Sequence, residues 1–120
     1  MTSSLEVTDA ESAAVQKTQN RVTLDHIKGQ IYLERYFTLG EALENSTIDA
    51  DRKRLSNTTI CVLMFKNGFV QMGTSTPADP ENFNPELGRK FAYEAAIREV
   101  WPKFGFQLCT DMLRQSGERS

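Results

Sequence analysis

The stretch Thr58–Ser75, TTICVLMFKNGFVQMGTS, decides the fold. Two runs rich in β-branched, aromatic and other apolar residues flank Asn67-Gly68, a pattern that reads as a β-hairpin. Asn-Gly accepts the positive φ angles of a two-residue type I′ turn, whose twist matches that of the flanking strands. With that turn Lys66 faces Phe69, and Phe65 pairs with Val70, Leu63 with Met72 and Cys61 with Thr74. One hairpin face is then strongly apolar. The other carries Ile60, Val62, Met64, Phe69, Gln71 and Gly73. Four large apolar side chains on a second face form a patch that soluble monomers seldom expose. The covers expected for it are an opening helix with Leu24, Ile27 and Ile31, a C-terminal segment with Phe106 and Leu108, or a second copy of the chain.

Downstream, Pro77, Pro80 and Pro85 rule out continued strand. Asn84-Pro85-Glu86 is a helix start, with Asn as N-cap, Pro in the first position and an acid in the first turn. The spacing predicts a long helix to about Val100 or Trp101, where Pro102 should end it. Leu87, Phe91 and Ala95 form one row and Gly88, Ala92 and Ala96 the next. The second row is small, which lets the helix backbone approach a sheet, so Gly88 and Ala92 read as packing residues. Trp101 reads as a packing residue closing the helix. For KFGFQLCTDMLRQ, residues 103–115, a third strand and a short helix both fit.

Upstream, Thr23 is a good N-cap, Val22 and Ile27 suit a hydrophobic staple, and Leu24, Ile27 and Ile31 follow helical spacing, predicting an opening helix over 24–34. Thr38 and Glu41 have the spacing of a capping box. STIDADRKRLSN, residues 46–57, reads as a polar loop. Residues 1–20 hold scattered apolar residues among Ser and Thr, and read as a disordered or weakly helical tail. Residues 115–120 read as a flexible tail, which leaves 21–114 as a single domain.

The chain has 120 residues, a formal net charge of −2 and one histidine. Such a charge argues against a whole-surface grip on nucleic acid, which needs clustered Lys and Arg. Cys61 and Cys109 lie far apart and read as reduced thiols, consistent with a cytoplasmic setting. No apolar run is long enough to span a membrane. His26 sits in a predicted first turn and reads as exposed or capping. No pattern of His and Cys suits a metal, and no phosphate loop or nucleophile elbow occurs. No cofactor is therefore expected, and the chain reads as a non-enzyme. Asp79, Glu81 and Glu86 cluster around prolines and read as capping groups. Arg52-Lys53-Arg54 is a basic run in the polar loop. Arg89, Lys90 and Arg98 accompany Tyr93 on the long helix, a set that suits contact with a protein partner or with phosphates and bases. Glu94 and Glu99 interrupt this set and favour a salt-bridged surface.

Six short motifs in order carry a family resemblance. They are Asn67-Gly68-Phe69, Gly73-Thr74-Ser75, Pro80-Glu81-Asn82-Phe83, Gly88-Arg89-Lys90, Ala92-Tyr93-Glu94 and Trp101-Pro102. With RVTLDHIKGQIYLERYFTL upstream, the chain resembles, over about residues 21–108, the small tailed-phage and prophage proteins labelled after gene 49 of phage N4 and gene 66 of phage Sf6. Thr74 stands where that pattern has an acid, and Glu99 where a base is common. The resemblance implies a phage or prophage accessory protein in a bacterial cytoplasm and carries no biochemical activity with it.

The expected fold is α+β, with an opening helix, a β-hairpin at Asn67-Gly68, a long helix across its apolar face, and a third strand or second chain to complete the sheet. The leading functional expectation is a protein-binding module, monomeric or homodimeric. The runner-up is a nucleic-acid-binding module using Arg89, Lys90, Tyr93 and Arg98. A small-ligand binder with a pocket between hairpin and helix is a third reading.

Overall fold

The computed structural model describes residues 4–117. Helix α1 (Ser4–Ala14) and helix α2 (Leu24–Gly29) precede strand β1 (Ile31–Thr38). Two short helices, α3 (Leu39–Ala42) and α4 (Asp49–Leu55), lead to strands β2 (Thr59–Phe65) and β3 (Val70–Ser75). A 3₁₀ turn at Pro80–Asn82 and helix α5 (Pro85–Ser116) complete the chain. The sheet is antiparallel in the order β1-β2-β3, and α5 packs across β3 and β2. The α+β class is as expected from the sequence.

The third strand comes from an unexpected place. The opening helix ends at Gly29 rather than 34, and Ile31–Thr38 is β1. Gly29 is a poor helix interior residue, whereas Ile31, Tyr32, Tyr36, Phe37 and Thr38 favour a strand. The local helix start is nevertheless real: Thr23 Oγ1 accepts from the His26 amide at 3.0 Å. A bulge between Ile31 and Leu33 resets the pairing, so that Ile31 meets Phe65 and Leu33 meets Met64.

The hairpin forms at Asn67-Gly68, with a three-residue loop. Phe65 donates its amide to the Phe69 carbonyl, and Gly68 donates to the Phe65 carbonyl. Gly68 has φ 89°, while no other residue of the turn has positive φ. Type I′ needs two such residues, so this is a turn closed by a left-handed glycine, the other common way a hairpin uses Gly. The pairing moves by one: Met64 faces Val70, Leu63 faces Gln71, Val62 faces Met72 and Cys61 faces Gly73. A slip of one residue turns a strand over. Cys61, Leu63 and Phe65 do face α5, as expected. Val70 and Met72 face away from it, and Phe69 and Gly73 come to the helix side.

Gly73 is where the helix backbone meets β3. A Cβ there would overlap the Ala92 carbonyl oxygen and the Ala96 nitrogen. Ala92 and Ala96 are fully buried, and Gly88 lies against Thr59, where a Cβ would stand 2.6 Å from Oγ1. Ile27, Leu63, Ile97 and Val100 fill the core beside them.

Helix α5 does not stop at Pro102. It runs on to Ser116, closed by Gly117 at φ 70°, so residues 103–115 are neither strand nor a separate helix. Pro102 removes one helical donor. Packing outweighs that loss: Phe104 stacks edge-on with Phe65 at 5.5 Å and with His26 at 5.7 Å. Trp101 accordingly lies within the helix, half-buried, and donates from Nε1 to the Val22 carbonyl at 3.3 Å.

The segment 1–20, expected to be a disordered or weakly helical tail, is helical over Ser4–Ala14, with Leu5 in the core cluster. Asp9 Oδ1 ties the helix down by accepting from Arg21 at 2.7 Å and from the Leu24 amide at 3.2 Å. One well-placed leucine and one ion pair escape a reading based on composition. The polar loop 46–57 holds α4, where Arg52 pairs with Asp49 at 2.6 Å. Of the expected tails, residues 1–3 and 118–120 lie outside the described residues.

Candidate functional site

Asn84 starts α5 by accepting from the Glu86 and Leu87 amides at 3.0 and 3.1 Å. This places Arg89 and Tyr93 one turn apart on the row that continues into buried Ile97. Beside Arg89 the row borders two adjoining hollows, both walled in part by strand residues. One, of about 370 Å³, is lined by Glu34, Tyr36, Arg89, Lys90 and Tyr93. The other, of about 290 Å³, lies between Tyr36, Thr59, Phe83, Pro85 and Arg89, with Glu41 and Ser56 also on its wall. Tyr36 and Arg89 border both.

Three of the four residues expected to form a basic–aromatic face are therefore together. Arg98 is not with them. It binds Glu94 Oε2 at 3.4 Å and the Ser4 hydroxyl, on the α1 side of the helix. Glu94 is itself buried, and Ser4 Oγ donates to its Oε2 at 2.9 Å. Glu34 stands among the remaining bases, so the basic set is split and partly neutralised. Sequence spacing put all four on one helix but could not show that β1 and α1 pull them to different sides.

The hydroxyl and thiol groups beside this site stay protonated near neutrality. Burial, with Glu34 beside it, pushes the Tyr36 hydroxyl well above the usual tyrosine range, and Tyr36 donates to Glu34 Oε2 at 2.9 Å. Burial pushes Cys61 up to about 11, against the lowering effect of its hydrogen bond with Tyr36. Burial, with Glu34 and Cys61 adding to it, pushes Tyr93 up to about 12. A thiol so placed is a packing group and not a ready nucleophile, since the thiolate is the reactive form. Among the described residues no three His, Cys, Asp or Glu side chains gather closely enough to hold a metal ion. Asp79 caps the 3₁₀ turn by accepting from the Glu81 amide at 3.0 Å.

A hollow does lie between hairpin and helix, about 190 Å³ between Phe65, Asn67, Phe69, Lys103 and Phe104. Its cation is already engaged: Lys103 Nζ donates to Gln71 Oε1 at 2.6 Å and sits 4.8 Å above the Phe69 ring.

A partly uncovered apolar surface lies on the far side of the sheet. Leu33, Arg35 and Phe37 of β1, Ile60, Val62 and Met64 of β2, and Val70, Met72 and Thr74 of β3 share that face. Helix α5 lies on the other side, with α1 and α2 packed against it, while α3 packs on α4 and the end of β1. Val70 and Met72 are left 51% and 56% exposed. The intramolecular covers expected from the sequence are excluded: Leu24 and Ile27 are buried on the helix side, and Phe106 is exposed on α5.

Among the described residues no helix is long and apolar enough to cross a membrane. No curated protein and no solved structure matches the chain. A family model does match, over residues 22–112, from the residue before the α2 cap to the last turns of α5. The chain thus belongs to the phage protein family described as N4 Gp49/phage Sf6 gene 66.

Proposed function

We propose that this phage protein is a non-enzymatic accessory component of the bacterial cytoplasm that works by binding another protein. The observation that carries this reading is the open sheet face. Leu33, Phe37, Val62, Met64, Val70 and Met72 form a continuous apolar surface with Arg35 among them. A sheet face that is neither packed nor polar, with Val70 and Met72 more than half exposed, supports a protein contact. Pairing of strands does not require apolar residues there: the hydrogen bonds of the sheet would form with polar residues on that face, as in most sheets solvated on one side.

The nucleic-acid reading draws less support. Arg98 is tied to Glu94, and Glu34 faces Arg89 and Lys90, so no contiguous basic stripe follows α5. Affinity capture from host lysate distinguishes the two, run with and without nuclease and with wild type beside Met72→Glu. A protein retained after nuclease and lost with Met72→Glu is the expected result. Capture abolished by nuclease, or undiminished in Met72→Glu, would overturn the reading.

A further inference from the structure

We propose that the hollow between the end of the sheet and the first turns of α5 binds a small aromatic anion: one ring carrying one carboxylate or phosphate. This site is on the opposite side of the sheet from the open apolar face and does not depend on the protein-binding reading.

The first observation is an unpartnered polar group. Thr59 is 3% exposed, and its hydroxyl has no hydrogen-bond partner among the described residues. It shares the helix side of β2 with Cys61 and Leu63 and lines this hollow. Buried hydroxyls without partners are rare in native proteins and call for an explanation. The neighbouring hydroxyls are committed: Thr38 Oγ1 accepts from the Glu41 amide at 3.2 Å, and Ser56 Oγ donates to the Arg52 carbonyl at 2.9 Å. Thr59 is the one left with capacity for a ligand.

The second observation is an uncommitted cation. Arg89 makes no ion pair among the described residues, in contrast to Arg21, Arg52 and Arg98. Its planar fork matches a carboxylate or a phosphate. Lys90 adds charge from the adjoining hollow. Glu41 lines the same hollow and Glu34 the adjoining one, so the site suits a ligand with a single anionic group, met by Arg89.

The third observation is the shape and composition of the wall. Tyr36, Phe83 and Pro85 supply flat apolar surface around about 290 Å³. A cavity of roughly 150 Å³ already admits benzene, so a substituted ring fits with room for its anionic group. A few polar groups converging in a largely apolar hollow is the common form of a small-molecule site. A bare inorganic anion would leave these rings unused, and a neutral ring would leave Arg89 unmatched.

The test is an NMR titration of backbone amides in the full chain with phenyl phosphate, benzoate, inorganic phosphate and benzyl alcohol. Phenyl phosphate or benzoate, or both, should give saturable shifts at Tyr36, Thr59 and Arg89. The comparison of those two identifies the anionic group. Inorganic phosphate and benzyl alcohol should bind at least about tenfold more weakly, as one uses only the charge and the other only the ring. Arg89→Gln, at an exposed helix position, should keep the fold and weaken the aryl anion at least about tenfold. Thr59→Val should weaken it less, and Arg89→Gln carries the test alone if Thr59→Val unfolds. The proposal is overturned if neither aryl anion gives saturable shifts, if inorganic phosphate binds as well as phenyl phosphate, or if Arg89→Gln binds the aryl anion like wild type. An ordered water on Thr59 with no ligand response would be read the same way.

Discussion

Gly73 does at one position what no other residue could do. Its missing Cβ lets the carbonyl of Ala92 and the nitrogen of Ala96 lie directly on β3. The helix half of this contact was legible, since Gly88, Ala92 and Ala96 announce a close approach by their size. The strand half was not, because a two-residue turn puts Thr74 there instead of Gly73. Gly73→Ala meets the α5 backbone and cannot be relieved by a rotamer change. It should cost about 3 kcal/mol, read as a lower urea midpoint at unchanged slope. A midpoint like that of wild type would mean that the helix stands further off the sheet. A second residue-scale consequence concerns Cys61 and Tyr93, both held protonated by burial. Their ordinary values are 9.0 and 10.0, raised here to about 11 and about 12. Above pH 9 the unfolded chain releases these protons while the folded chain keeps them. The stability they contribute is therefore complete below pH 9 and is lost as pH rises toward 12. Urea melts between pH 7 and pH 11 should show that decline, on the order of 3 kcal/mol, and Tyr93→Phe should make it shallower. A flat profile would place both groups in contact with water.

Elements were legible where local signals and tertiary packing agree. Thr23, Thr38 and Asn84 all cap helices as their spacing suggested, because a cap is decided within four residues. The elements that escaped are those decided at a distance. Ile31–Thr38 has helical spacing at its start, but it becomes β1 because β2 offers it a partner along its whole length. Helix α1 exists on the strength of Leu5 entering the core and Asp9 meeting Arg21. The arrangement of the candidate site was hidden for the same reason: Tyr36 comes to it on β1, Thr59 on β2 and Arg89 on α5. Pro102 marks the sharpest conflict between local and distant forces. Its ring forbids one hydrogen bond in a helix that Phe104 nevertheless holds in place against Phe65 and His26. Because Pro102 is exposed and its cost is local, Pro102→Ala should stabilise the protein by about 1–3 kcal/mol. Thermal or urea unfolding checks this. No gain would show that the helix loses no stability at Pro102.

At the scale of the molecule, the long helix sets the shape. The radius of gyration is 18.0 Å, with extents of 59 × 32 × 19 Å. A compact domain of this length would have about 14 Å. A 32-residue helix spans about 48 Å, longer than any strand it covers, so its C-terminal half overhangs the sheet. The sheet face opposite is small by the same measure. Three strands about 4.8 Å apart and about six residues long at about 3.4 Å each present on the order of 300 Å². A stable interface takes about 800 Å² from each partner. Two copies meeting through this face alone fall well short, so the isolated chain should be a monomer at micromolar concentration, with a scattering radius near 18 Å. A partner of the kind proposed would have to reach past the face, and the outer edges of β1 and β3 offer hydrogen-bonding groups for that. Met72 is more than half exposed in the free chain. Met72→Glu should thus leave stability within about 0.5 kcal/mol of wild type, leave the sedimentation mass unchanged, and still abolish capture of the partner. A wild-type dimer that Met72→Glu dissociates would instead identify the occupant of the face as a second copy of this chain.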